Sequence, residues 1–245
     1  MRIGILETGE VLGKLGEDHG PYPPMFEALL GGADGDLKFE TIRVVASEMP
    51  ESPEQCDGWL VTGSRHGVYD DLPWIEPLKA FLRECLSARV PVVGICFGHQ
   101  ILAEAMGGRV VKSDRGWGVG VHAYDVKETP AWMEGVGTMF AARAVHQDQV
   151  VERPPNATVL ASSAFCDYAA LAYGDVEAPA AISVQPHPEF DAEFVGDIVR
   201  ARMGETIPRE VGEAALATLS QPVHNAEWGR WMVRFFREAA ARRQA

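Results

Sequence analysis

Short apolar runs alternate along this chain with longer runs whose apolar residues recur every three to four positions. That alternation predicts a parallel sheet covered by helices. Residues 2–6 read as a buried strand, 24–30 as a helix closed by Gly31-Gly32, and 38–45 as a strand rich in β-branched residues. Residues 58–62 are a short strand ending at Gly63. The run 74–87 places Trp74, Ile75, Leu78, Phe81, Leu82 and Cys85 on one face of a helix. Residues 90–95 form another buried strand, and 97–106 the next helix, closed by Gly107-Gly108. The pattern changes over 109–163, where 119–126, 138–144 and 158–161 alternate with period two and predict antiparallel strands. Two short strands follow at 169–173 and 181–185. A helix over 192–202 has Asp191 in position to cap it, and two more helices are predicted over 210–219 and 226–242.

Composition narrows the class. A chain of 245 residues suits one large domain or two small ones and can bury a sizeable core without disulfides or metals. Two terminal helices cannot build a core alone. The expectation is therefore one domain over 1–245, with a core of about 1–203 and a helical appendage of about 204–245. The apolar and charged fractions, 47% and 23%, are ordinary and exclude a disordered or fibrous chain.

Charge excludes more. With 22 Lys+Arg against 35 Asp+Glu, the net charge of −13 repels nucleic-acid phosphates and anionic lipid. The one dense basic stretch, 230–243, alternates with apolar residues at helical spacing, so no nucleic-acid or membrane partner is expected. The start lacks the apolar core of a signal peptide, and no apolar run reaches the roughly 18 residues of a membrane span. A cytoplasmic protein with free thiols is expected. Its cysteines, Cys56, Cys85, Cys96 and Cys166, form no CxxC pair and no zinc-spaced cluster, so neither metal nor cofactor is expected.

One cysteine has a special neighbourhood. In Pro91-Val-Val-Gly94-Ile-Cys96-Phe97-Gly98-His99-Gln100 a buried strand ends in Gly-x-Cys-x-Gly and a helix begins at once. This is the nucleophile-elbow pattern with Cys in place of Ser. The tight turn needs the flanking glycines, the helix N-terminus favours thiolate, and the Phe97 N–H is left to bind an oxyanion. The competing reading is a plain core cysteine. A thiolate nucleophile needs a base and an orienter. Gln185-Pro-His187-Pro-Glu189-Phe190 follows a buried strand and emerges at the sheet edge where Cys96 also emerges. Glu189 is close enough to hold the imidazole tautomer. In Leu60-Val-Thr-Gly63-Ser64 a strand ends in a Gly-containing loop whose N–H groups can complete an oxyanion hole. The same segment also reads as an ordinary strand-to-helix loop.

Together these three segments resemble the class I, or triad, glutamine amidotransferase family, in order and in spacing. The likeness covers about residues 1–200 and is strongest to the branch similar to the glutaminase domain of GMP synthase. The resemblance implies an α/β fold with a doubly wound, mostly parallel sheet flanked by helices, here with extra antiparallel strands and C-terminal helices. It implies a Cys96–His187–Glu189 triad that hydrolyses the γ-amide of glutamine, or of a γ-glutamyl amide, through a γ-glutamyl thioester. Ser64 and Phe97 take the oxyanion-hole positions, and Gly63 belongs to the oxyanion loop. Gln100 matches a position that touches the substrate's amino-acid end. Residues 145–150 resemble a second substrate loop, in which His146 and Asp148 either bind substrate or stand as a solvated strand end.

Partnered members of the family deliver ammonia to a synthetase. This chain has no ATP-binding Gly-rich loop and no length left for a second catalytic domain. An unidentified ammonia-accepting synthetase, a stand-alone γ-glutamyl peptide or amine hydrolase, and a non-catalytic regulator of the same fold all stay open. A cysteine peptidase of a related elbow fold fits less well, because such folds lack the His-Pro-Glu pairing at this place.

Overall fold

A computed structural model describes residues 1–244. Its centre is a nine-stranded sheet. Five strands run parallel in the order β2 (Lys38–Ile42), β1 (Arg2–Leu6), β3 (Gly58–Val61), β4 (Val92–Ile95) and β11 (Ala181–Val184). The sheet continues antiparallel through β10 (Ala170–Tyr173), β9 (Ala157–Ser162), β6 (Gly118–Val126) and β7 (Met139–His146). A separate ribbon pairs β5 (Arg109–Lys112) with β8 (Asp148–Glu152).

Every residue of β3, β4 and β11 is buried, as a parallel strand covered on both faces requires. Successive side chains point to opposite faces, so Leu60 joins one core and Val61 the other. On the first face, Ile3, Ile5, Leu60 and Val93 pack against α2 (Tyr22–Ala33) and α7 (Asn225–Gln244). The aromatic residues of α7 are in this core: Trp228, Trp231, Phe235 and Phe236 are all buried. On the second face, Trp59, Val61 and Val92 pack against α3 (Ile75–Ser87) and α4 (Phe97–Ala105). A third cluster joins α5 (Ala192–Arg202) and α6 (Arg209–Thr218) to Val119 and Phe190. The Asp191 carboxylate accepts the Phe194 N–H at 2.8 Å, the cap expected for α5.

Two local expectations change and one helix is new. Gly31-Gly32 do not close α2 but lie inside it, and the helix runs on until Asp34 donates to the Leu30 carbonyl. Pro23 and Pro24 sit in its first turn, where a missing N–H costs nothing. The second strand stops at Ile42 rather than 45, because Val44–Ala46 turn so that Val45 donates to the Glu7 carbonyl. Helix α1 (Gly13–His19) has no counterpart in the sequence pattern, since it buries no residue and carries no apolar stripe. Among the described residues no helix is long and apolar enough to cross a membrane.

Candidate active site

The C-terminal ends of β3, β4 and β11 bring the three candidate segments together. Cys96 follows β4 directly and caps α4 with φ 53° and ψ −101°. That left-handed φ is strained for a residue with a side chain, by about 1–3 kcal/mol, and persists only where the surroundings enforce it. They do so here. The Cys96 N–H donates to the Val184 carbonyl at 2.9 Å, and the Cys96 carbonyl accepts from Gln100 at 3.0 Å. A Cβ on Gly94 would overlap the Gly98 carbonyl, and one on Gly98 would overlap that of Val61. The turn therefore closes only with glycine at both places. The other three thiols are buried in apolar cores. Burial pushes Cys56 and Cys166 up to about 12 and raises Cys85 as well, so none of them is a ready thiolate.

His187 follows β11. Its Nδ1 is 2.6 Å from Glu189 Oε1, with both side chains almost wholly buried. The imidazole stacks face to face on Phe190, centroids 4.0 Å apart, and its backbone N–H donates to the Arg143 carbonyl at 2.7 Å. Burial alone would lower the pKa of this imidazole. The negative charges of Glu189 and Cys96 outweigh burial and hold it up at about 10. The Cys96 sulfur thus stands beside a histidine able to carry its proton as imidazolium.

Gly63 lies against both residues: a Cβ there would be 2.9 Å from His187 Cε1 and 3.8 Å from Cys96 Cβ. Its carbonyl is turned away, toward the Thr8 hydroxyl at 3.3 Å and the Thr62 hydroxyl at 3.1 Å. In a trans peptide the C=O and the next N–H point in opposite directions. The Ser64 N–H therefore faces away from Thr8. By the same rule, the Phe97 N–H points out of the start of α4, since the Cys96 carbonyl points along the helix to Gln100.

A cavity of about 280 Å³ opens beyond Cys96, and Ser64, Gln100, His146 and Asp148 all line it. Gln100 is buried, with Nε2 donating to the Asp148 carbonyl at 2.9 Å and to Gln185 Oε1 at 3.1 Å, so it braces the cavity floor. His146 Nδ1 lies 3.2 Å from the Asp148 carbonyl, and burial depresses its pKa to about 3, so it is neutral. The Asp148 carboxylate accepts from the Tyr69 hydroxyl at 2.7 Å across the mouth. Tyr22, Arg65, Tyr69 and Arg202 also line the site or its continuation toward His187, and sequence reasoning assigned none of them a role. Arg65 and Tyr69 share the loop of Ser64, a signal open to local reading. Tyr22 and Arg202 come from α2 and α5 and had no local signal. Among the described residues, no group of three or more His, Cys, Asp or Glu is arranged to hold a metal.

Comparison with known proteins agrees with this geometry. The family model for class-I glutamine amidotransferases matches residues 36–197. A protein named gamma-glutamyl peptidase 4, from Arabidopsis thaliana, is 30% identical over 211 residues, or 83% of this chain and 82% of that one. One subunit of the glutamine-hydrolyzing GMP synthase of Methanococcus maripaludis is 33% identical over 114 residues, or 46% of this chain and 58% of that one. The crystal structure of a glutamine amidotransferase from Thermotoga maritima shares the fold, with a TM-score of 0.71 at 19% identity over 99% of this chain and 96% of that one.

Proposed function

The chain belongs to the class-I glutamine amidotransferase family, and from that premise we propose that it works alone, as a γ-glutamyl hydrolase built on Cys96, His187 and Glu189. The reaction is hydrolysis of the γ-amide of glutamine or of another γ-glutamyl amide. The observation that carries the assignment of residues is the strained Cys96 beside an imidazole tied to Glu189 at 2.6 Å.

The steps follow from the geometry. Cys96 Sγ attacks the γ-carbonyl carbon while His187 already holds the sulfur's proton as an imidazolium that Glu189 stabilises. The Ser64 and Phe97 N–H groups receive the oxyanion. The C–N bond breaks as His187 returns its proton to the departing nitrogen, which leaves a thioester on Cys96. His187 then deprotonates a water that attacks the thioester, and glutamate and the free thiol are released. Each turnover consumes one water.

Two features favour a chain that needs no partner. The oxyanion loop is held by the chain's own Thr8 and Thr62. The relative named as a peptidase matches over most of both chains. A partnered reading, in which ammonia passes to a synthetase, rests on the shorter match to the GMP synthase protein. Intact-mass spectrometry of the isolated chain decides between them, using a glutamine analogue with an electrophile at the γ-position. The expected result is one glutamine-sized adduct, retained in the Cys56→Ala, Cys85→Ala and Cys166→Ala variants and absent from Cys96→Ser. An unlabelled wild-type chain, at a concentration that labels a working glutaminase, overturns the stand-alone reading. An adduct that survives Cys96→Ser overturns the nucleophile.

A further inference from the structure

Two cavities meet at Cys96. The larger, of about 280 Å³, runs toward Gln100, Asp148 and Lys112. The smaller, of about 30 Å³, lies on the His187 side beneath Tyr22, Phe190 and Ile198. Arg65 and Arg202 line both. The two sides differ in charge. Asp70 and Asp148 line the larger cavity together with Lys112 and the same two arginines, so that side offers both signs. The described lining of the smaller cavity contains no carboxylate and two guanidiniums.

Several other arginines are paired with carboxylates: Arg200 with Asp197 at 2.9 Å, Arg115 with Asp167 at 3.1 Å, and Arg43 with Glu10 at 2.6 Å. Among the described residues no ion pair includes Arg65 or Arg202. Their positive charge, in a chain of net charge −13, is tied up in no ion pair beside Cys96. Tyr22, enclosed between them and the triad, feels both guanidiniums as well as Cys96.

The chemistry assigns the sides. His187 must return its proton to the departing nitrogen, so the leaving group lies on the His187 side. A volume of about 30 Å³ is roughly one water's share of liquid, enough for the nitrogen alone. The rest of a larger leaving group must pass outward over Arg65 and Arg202. On the opposite side, the ammonium and α-carboxylate of the glutamyl end meet a lining of both signs.

Resting on the γ-glutamyl hydrolase reading above, we propose that Arg65 and Arg202 form a leaving-group subsite that holds the free carboxylate of an amino acid or peptide. The pair is specificity-determining: it favours γ-glutamyl peptides over glutamine, which has no second carboxylate, and disfavours γ-glutamyl amines whose leaving group is a cation. Guanidinium–carboxylate hydrogen bonds are charge-assisted and bidentate, and losing one such partner lowers affinity by roughly 10–100-fold.

The test measures kcat and KM for γ-glutamyl-alanine, γ-glutamyl-alaninamide and glutamine, on the wild-type chain and on Arg65→Gln and Arg202→Gln. The wild type is expected to prefer the free acid over its carboxamide by roughly 10–100-fold in kcat/KM, mostly through KM. In each variant that ratio falls toward one, while the urea midpoint stays at the wild-type value. Equal losses on all three substrates overturn the proposal, because they place the guanidiniums on the glutamyl end that the substrates share. A wild type that cleaves acid, carboxamide and glutamine equally well overturns the subsite and leaves the hydrolase reading standing. A wild type that cleaves none of them overturns both.

Discussion

Glu189 shows how much of this site is decided by single side chains. Its carboxylate touches the imidazole of His187 at 2.6 Å, and that charge is the largest of the causes that raise the imidazolium to about 10 from an ordinary 6.5. A folded-state pKa above the unfolded one stabilises the fold fully below about pH 6.5, and the contribution disappears as pH climbs through about 10. Glu189→Gln keeps the shape and removes the charge. Urea midpoints measured across pH 6.5 to 10 are expected to fall more steeply for the wild type than for the variant, after subtraction of any slope common to both. Glutamate release by the variant is expected to drop by roughly 10²–10⁴-fold. Identical pH slopes in the two proteins would show that the pair carries no charge in that window.

Elements act here through their ends. Strands β1, β3, β4 and β11 lie side by side, and their C-terminal ends deliver Thr8, Gly63, Cys96 and His187 to one edge. The β1 end reaches the chemistry indirectly. The Thr8 N–H donates to the Thr62 hydroxyl at 3.0 Å, and the Thr8 hydroxyl donates to the Thr62 carbonyl at 3.0 Å. Gly9 packs so closely that a Cβ there would lie 2.8 Å from the Gly63 carbonyl oxygen. Thr8→Val keeps the volume and removes a hydroxyl that, with that of Thr62, holds the loop of the Gly63–Ser64 peptide. With the proposed oxyanion donor, the Ser64 N–H, loosened, kcat is expected to fall by roughly 10–100-fold while KM changes little. Steady-state kinetics checks this. A rise in KM with unchanged kcat would assign Thr8 to substrate binding instead.

At the scale of the molecule, the C-terminal helix is part of the wall that holds the parallel strands. Trp228 is fully buried, edge-on to Phe140 at 5.2 Å and to Trp231 at 5.3 Å. Phe236 reaches the start of β3, where a Cβ on Gly58 would meet its ring at 2.7 Å. Removing a large aromatic side chain from such a core costs about 3–5 kcal/mol. Trp228→Ala is therefore expected to lower the unfolding free energy by about that amount in urea titrations. It should leave Cys96 labelling intact under native conditions, because Trp228 lines neither cavity at the nucleophile. A loss under about 1 kcal/mol would mean that α7 is not integral to the core.

The proposed triad was legible in the sequence because each member carries a local signature. Gly94 and Gly98 flank Cys96 since no side chain fits between α4 and the carbonyls beside it. Prolines flank His187, and Glu189 lies within reach on the same short segment. Strand and helix order was legible because burial on both faces leaves continuous apolar runs, whereas Gly13–His19 buries nothing and left no pattern. The rest was decided by tertiary structure. The Gly31-Gly32 pair reads as a stop, but α2 continues through it while packed against α7. Thr8 and Thr62 are 54 residues apart, and nothing in either segment announces that one holds the other's loop. Arg65 and Arg202 are far apart in the chain and gain meaning only when α5 ends beside the loop after β3. A signature within one segment arises from local steric demand and survives in the order of residues; a charge pattern assembled from separate elements exists only once they pack.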